Sequence, residues 1–517
     1  METQFASEGG LKSLLELSLS TTDRETITYC TSCILNLSGE GRADSKLFDF
    51  NIVPAIATLA HNSHDPRIKQ YCAKSLCFFT QLEDIEERLI AMGIISPLTK
   101  LALHADNPVT RMIACKGLHN LSPILTGSVA DSVNKHIMDC VKKLTVLNVV
   151  FLSSFSGEIV QNLSCLFNAR QKIADEGAIE VINTLIRNTP NSRTLKACAI
   201  ALCNLSQLKS CTKEMVKMGV IEVITDMLRT SVDQEETVYL CTLVLSNLTA
   251  QTELRQKVAG KGGIPVLCSL LTSTSARTSA VASKSLANFA CDEKTRLAVI
   301  KANGVPPLIG LLHGDAEGPR HDALGALCNL LSFEETYMNV ISSRIIQALK
   351  SIMHHPMHWD GISLALFNIA TWSNIHMTLV DQGGAEMLVE LVLNKELTEL
   401  IPQNLTTLAA IAKTSKTHAK LMKTDLIKAL WVPIQNSIPE GSATAILDKA
   451  TAGKISSILM YLSTTESSAK KLVSDGAVLS LVQLARQEYE EAKMCASAMF
   501  YNLSLKKVRR RLPIPAT

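Results

Sequence analysis

Side-chain amides recur along this chain at a nearly fixed interval. Asn36, Asn120, Asn162, Asn204, Asn247, Asn288, Asn329, Asn368 and Asn502 fall on a ladder of slots whose other rungs are Phe78, Ala410 and Tyr461. The slots lie 39 to 43 residues apart, except for one step of 51. An amide offers one acceptor and two donors, so the chemistry open to such a row is hydrogen bonding. The simplest use is to cap the end of the residue's own helix or the turn that follows. Lys74, Lys116, Lys196 and Lys284 share the helix faces that carry the slots, opposed mainly by Glu158. Isolated lysines on solvated faces are common, so alone they establish only a mild basic character.

Residues suited to catalysis or metal binding do not assemble in this way. His354, His355 and His358 cluster around Pro356, but only Asp360 joins them, and structural zinc takes four ligands. Cys30-x-x-Cys33 has a redox spacing without a βαβ context around it. No Gly-rich phosphate loop, nucleophile elbow or kinase signature is present. The expectation is a protein that is not an enzyme, with no cofactor and no metal.

Elements that position the slots follow from the period. Twelve units of about 42 residues make a repeat array, which overrides the several domains that 517 residues would otherwise suggest. One unit can be followed from residue 163 to 204. A first helix is predicted from Cys165 to Glu176. After Gly177, the spacing of Val181, Ile182, Leu185 and Ile186 predicts an amphipathic second helix. Asn188-Thr189-Pro190-Asn191-Ser192 breaks it. The third helix, Thr194 to Leu205, is apolar almost all round, the mark of burial on several sides. Gly10, Gly93, Gly177, Gly219, Gly263, Gly304, Gly384 and Gly476 stand between first and second helices, where a left-handed residue ends a helix. Asn51 takes that place in the second unit.

Composition agrees. Apolar residues make up 47% of the chain and aromatic ones 4%, which suits closely stacked helices. A net charge of +3 argues for neither nucleic acid nor a membrane surface as partner. Many of the 15 cysteines lie in the apolar helices, including Cys72, Cys77, Cys198, Cys203, Cys241 and Cys328. They read as small hydrophobes in a reducing compartment. Met1-Glu2-Thr3-Gln4 has no signal-peptide pattern, and no apolar run reaches membrane-spanning length. Of seven Asn-x-Ser/Thr matches, six are slots and one is Asn404, so the repeat explains most of them.

These units resemble the armadillo repeat family. Gly263-Ile264-Pro265-Val266-Leu267 and Gly304-Val305-Pro306-Pro307-Leu308 match the opening of its second helices, and Ala/Cys-x-x-x-Leu-x-Asn-Leu the end of its third. The resemblance implies an all-α fold, a right-handed α-solenoid of about twelve repeats. It also implies a concave groove lined by third helices, in which the slot asparagines bond the backbone of an extended peptide. That role passes to Asn120, Asn162, Asn204, Asn247, Asn288, Asn329 and Asn368, with Lys74, Lys116, Lys196 and Lys284 favouring acidic segments. Asn36 and Asn502 lie at the ends. Nuclear import adaptors of this family carry Trp four residues before each slot, whereas Trp359, Trp372 and Trp431 lie elsewhere.

Three units depart from the pattern. Asn134-Lys135-His136 and Ser342-Ser343-Arg344 replace the Gly turn in two of them, and Pro433 to Ala445 reads as a looped insertion in the eleventh. Residues 1–505 are assigned to the solenoid, with the insertion near 433–445, and 506–517 to a basic flexible tail. The functional expectation is a cytoplasmic scaffold or adaptor for other proteins, with no small-molecule substrate. The alternative is a structural part of a cytoskeletal assembly, ciliary or microtubule-associated. The tail, Lys506 to Arg511, has the character of a nuclear-entry signal.

Overall fold

A computed structural model describes residues 9–39, 45–124, 130–147, 149–188, 191–230, 233–394, 396–440 and 445–505. The chain forms two compact units, Met1–Val266 and Leu267–Thr517. Each is an all-α stack of armadillo repeats, and no strand occurs among the described residues.

The repeat dissected in the sequence shows how the stack is made. A short first helix, Arg170–Asp175, leads to the second, Ala178–Asn188, and the third, Ser192–Ser206. The second buries Ala178, Ile179, Val181, Ile182 and Leu185 and leaves Glu180 and Arg187 outside. Asn191 caps the third helix, its Oδ1 accepting from the Arg193 N–H at 2.9 Å. The same cap recurs one repeat apart at Asp23, Asp65 and Asn107. A side-chain acceptor there satisfies a donor that the helix leaves free. Leu202 and Leu205 are fully buried. Burying each such side chain contributes about 1.5–3 kcal/mol. Neighbouring third helices meet on small residues: a Cβ on Gly157 would stand 3.5 Å from that of Ala197.

A recurring contact joins several third helices to the next first helix. The carbonyl of Ser164 accepts from Arg170 Nε at 2.7 Å, and that of Thr249 from Arg255 Nε at 2.8 Å. In two repeats of the second unit buried imidazoles take the place of the arginine. His376 Nε2 lies 2.8 Å from the Ala370 carbonyl, and His418 Nε2 lies 2.7 Å from that of Ala412. A side chain six residues on thus supplies the donor that a helix C-terminus lacks.

Several boundaries differ from expectation. Cys165 closes the preceding third helix, Val150–Cys165, because its backbone continues that hydrogen-bonded run; the first helix starts only at Arg170. The left-handed turn residue is Gly9, Gly262, Asn303 and Gly383 rather than the following glycine. The second glycine of the pair answers a different need. A Cβ on Gly263 would stand 2.6 Å from Val258 Cγ1 and 2.9 Å from the Val258 carbonyl oxygen, so helix packing excludes a side chain. Asn51 at φ 56° and Arg344 at φ 65° take the left-handed role in their units. Around Asn134 there is no turn, since one helix runs Ala130–Val146.

In the eleventh unit Pro433 lies inside the helix Leu426–Asn436, so the insertion begins later. Residues 441–444 fall outside the described residues, as does the whole tail 506–517. The far side of the insertion is tied to the last repeat. Gln487 Nε2 donates to the Ala445 carbonyl at 2.8 Å, and the Tyr489 hydroxyl donates to that of Leu447 at 3.1 Å.

Burial divides the thiols. Cys198, Cys203, Cys241 and Cys328 are buried, whereas Cys33, Cys165 and Cys291 are exposed. Desolvation pushes the thiols of Cys198, Cys241 and Cys328 up to about 12. The reactive species is the thiolate, which burial disfavours. A thiol reagent added to native protein should therefore modify Cys33, Cys165 and Cys291 quickly. Cys198, Cys203, Cys241 and Cys328 should wait for denaturant, as followed by peptide mass spectrometry. Rapid native labelling of those four would contradict their packing.

Candidate functional site

The slot asparagines first of all bond one another's repeats. In the N-terminal unit Asn120 Nδ2 donates to Thr80 Oγ1 at 3.0 Å and Asn162 Nδ2 to Ser122 Oγ at 2.9 Å. Asn204 Nδ2 donates to Ser164 Oγ at 3.0 Å and Asn247 Nδ2 to Ser206 Oγ at 2.8 Å. Each acceptor hydroxyl stands two residues past the preceding slot. Each in turn donates to the carbonyl three residues back in its own helix, as Ser164 does to Gln161 at 2.6 Å and Ser206 to Cys203 at 2.8 Å. The recurring Asn-x-Ser is therefore two halves of one joint, the Ser serving the following repeat.

The C-terminal unit shows what happens when the hydroxyl is missing. Asn502 Nδ2 still finds Ser463 Oγ, at 2.9 Å. Two residues past slots 288 and 329, however, stand Ala290 and Leu331. Asn329 and Asn368 donate instead to the backbone carbonyls of Ala287, at 3.1 Å, and Cys328, at 2.9 Å. The joint uses one N–H of each amide, and the amide oxygen takes no part in it. Asn120, Asn162, Asn204, Asn247, Asn288 and Asn329 remain half-buried, while Asn368 is only 9% exposed and has less to offer a partner.

The lysines divide by environment. Lys74 is half-buried and Lys116 exposed, and both line a depression of about 520 Å³ on the third-helix face of the first three repeats. Asn36, Phe78, Gln81 and Ile113 complete its character, and no carboxylate lines it. Phe78 occupies the slot that has lost its asparagine, so the floor there is apolar. Cys77 beneath is pushed up by burial, against the pull of the Lys116 charge. Lys196 is exposed on the Asn204 helix. Lys284, in the C-terminal unit, stands near Asp322, whose carboxyl is raised by burial against the opposing charges of His321 and Lys284.

Glu158 does not oppose the lysines. It is only 9% exposed and already held: both its oxygens meet the Arg193 guanidinium, Oε2 at 3.0 Å from Nη2, and His119 Nε2 lies 3.4 Å from Oε2. A carboxylate forked by a guanidinium is spent on structure. Sequence reasoning missed Arg193 and His119. Arg193 lies eleven residues before slot 204, three turns along the same face, which was the available signal.

Other singled-out residues serve the fold. The Trp359 indole donates to the Met353 carbonyl at 2.7 Å; Trp372 donates to that of Leu331 at 3.0 Å and stacks on Tyr337. Asn404 is fully buried and accepts from Ser363 Oγ at 2.7 Å, a position no glycan can reach. The rings of His354 and His355 lie 4.0 Å apart, yet no group of three or more His, Cys, Asp or Glu among the described residues is placed to hold a metal.

Comparison with known proteins bears on the same elements. The family model described as kinesin-associated protein (KAP) matches residues 162–517. A solved structure from work on a phosphorylation switch in the interaction between cadherin and beta-catenin aligns with a TM-score of 0.63. Identity there is 13%, over 96% of this chain and 99% of that one. A solved engineered protein aligns with a TM-score of 0.55 at 22% identity, over 87% of this chain and 98% of that one. At such identities the likeness is one of fold. No curated protein matches the chain.

The joint between repeats is testable without any partner. Asn204→Ala and Ser164→Ala remove the two ends of one bond, which is worth about 1 kcal/mol net. Each should lower the denaturant midpoint. The double variant should lose clearly less than the sum, because both strip the same contact. Additive losses would show that the two side chains do not act together.

Proposed function

Because the chain belongs to the kinesin-associated protein (KAP) family, we propose that it works as an adaptor that holds an extended segment of a kinesin polypeptide in its third-helix groove. As an armadillo-type scaffold its business is protein–protein contact, and the family links it to the cytoskeleton of the cytoplasm. No helix among the described residues is long and apolar enough to cross a membrane.

One observation carries the groove reading. The depression at Lys74 and Lys116 pairs two lysines that face no lining carboxylate with an apolar floor at Phe78 and Ile113. An acidic side chain from a partner would supply the missing counter-charge, and a neighbouring apolar side chain would cover the floor. Half-exposed slot amides run on from there at Asn120, Asn162, Asn204 and Asn247. Their oxygens, unused in the repeat joint, accept from the backbone N–H groups of an extended segment.

Two measurements test this. The full chain, immobilised, should retain a kinesin polypeptide from lysate. Lys74→Glu with Lys116→Glu should weaken that kinesin's affinity by about 2 kcal/mol, roughly thirtyfold. Melting temperature should stay put, because both side chains leave the core untouched. Added salt should weaken the parent complex and have less effect on the variant. Unchanged kinesin binding by the folded variant would move the contact off this face.

A further inference from the structure

A second pocket opens in the N-terminal unit, off the slot-bearing face. It lies between the second helices Ile52–Asn62 and Ile95–His104, near their C-terminal ends, and has a volume of about 340 Å³. Lys69, from the third helix Pro66–Phe79, closes one side. Lys69 stands five residues before Lys74, so the two side chains leave that helix in different directions. Ala57, Pro97 and Leu101 make an apolar floor. Every polar side chain around it is basic: His61, Lys69, Lys100 and His104. No carboxylate and no hydroxyl lines the space.

The crevice one repeat earlier shows that this is not a general property of the stack. It has a similar volume, about 340 Å³, between the ends of the helices Gly10–Ser20 and Ile52–Asn62. Its lining is hydroxyl-rich, with Ser18, Thr21, Thr22 and Ser63, and its charge is balanced. Arg24 and Asp65, both in its lining, pair with each other at 2.6 Å. The same architecture therefore holds an internal ion pair in one crevice and four basic residues with no counter-ion in the next.

We propose that the crevice at Lys69 and Lys100 binds a phosphate monoester, the phosphorylated serine or threonine side chain of a partner protein. A phosphate dianion presents three acceptor oxygens and close to two negative charges. Two lysines match that charge, where a single carboxylate would leave one of them uncompensated. His61 and His104 lie in the last turns of their helices, where the free carbonyl ends would repel an anion. Each imidazole brings a ring N–H to that end of the crevice, a donor for a phosphate oxygen set against those carbonyls. The apolar floor receives the carbon side of the ester, which a free phosphate ion lacks. This surface is independent of the groove assigned to the kinesin segment, so the two can fail separately.

The test uses the full chain and a fluorescein-labelled peptide, Gly-Ala-phosphoSer-Ala-Gly amide, read by anisotropy. The same peptide with Ser or Glu at the centre, and inorganic phosphate as competitor, complete the set. The phosphopeptide should bind at least about tenfold more tightly than the Glu peptide, the Ser peptide not measurably, and inorganic phosphate should compete only at much higher concentration. Lys69→Gln with Lys100→Gln should weaken phosphopeptide binding by about tenfold or more at an unchanged melting temperature. Lys74→Glu with Lys116→Glu should leave it unchanged. Equal binding of the Glu peptide would make this a generic acidic site and overturn the proposal. So would inorganic phosphate binding as tightly as the peptide, loss in the Lys74 and Lys116 variant instead, or no binding at all. Should the double glutamine variant lose its melting transition, Lys100→Gln alone decides, since Lys100 is exposed at the rim.

Discussion

The amide-to-hydroxyl bond that reaches back one repeat is where the chain's chemistry and its architecture meet. Burial of leucines and isoleucines drives the third helices together, but an apolar contact is non-directional and leaves the rotation of one helix on the next loosely set. The bond from Asn204 to Ser164, and from Ser164 on to the Gln161 carbonyl, has a direction and a length. Its net worth is small, about 1 kcal/mol. Its effect is on orientation: it keeps the slot stripe of each helix facing the same way as the last. In the N-terminal unit, where these bonds run from Asn120 to Asn247, the slot residues therefore share one face.

Much of this was legible in the sequence. The period, the helical class, the left-handed asparagine at Asn51 and the burial of Cys72, Cys77, Cys198, Cys203, Cys241 and Cys328 follow from composition and spacing. What escaped has a common cause: the missed contacts join residues about one repeat apart. Nothing in the sequence marks Ser164 as an acceptor, and Glu158 reads as a free charge, because their partners Asn204 and Arg193 lie 40 and 35 positions away. The one-residue displacement at Gly262 and Gly263 escaped for a different reason. Two glycines in a row give the same letter to two demands, a left-handed turn and a close approach to Val258.

Charge has a finer grain than the total suggests. A net +3 over 517 residues predicts little about binding. Inside the N-terminal unit, however, two buried carboxylates are committed to arginines. Glu158 is held by Arg193, and Asp65 by Arg24. The lysines around Phe78 and around Pro97 are left without such partners in their own pockets. Nearly neutral overall, the unit carries two separate places where a partner's negative charge completes a local balance.

The switch of acceptor along the ladder bears on how such a chain can change length. A joint made to a serine hydroxyl requires a particular residue in the repeat before it; a joint made to a backbone carbonyl, as at Asn329 and Asn368, requires only that a helix be there. Duplicating or deleting a stretch of about one period leaves every hydroxyl-type donor facing a hydroxyl, provided whole repeats of the N-terminal kind are copied. Across the carbonyl-type joints even unlike repeats can be spliced, since the backbone is the same in all of them. The longest step, 51 residues, lies between Ala410 and Tyr461, two slots that carry no amide and so call for neither kind of acceptor. The identity of one hydrogen-bond acceptor thereby sets which repeats can be joined to unlike neighbours and which must be copied together with theirs.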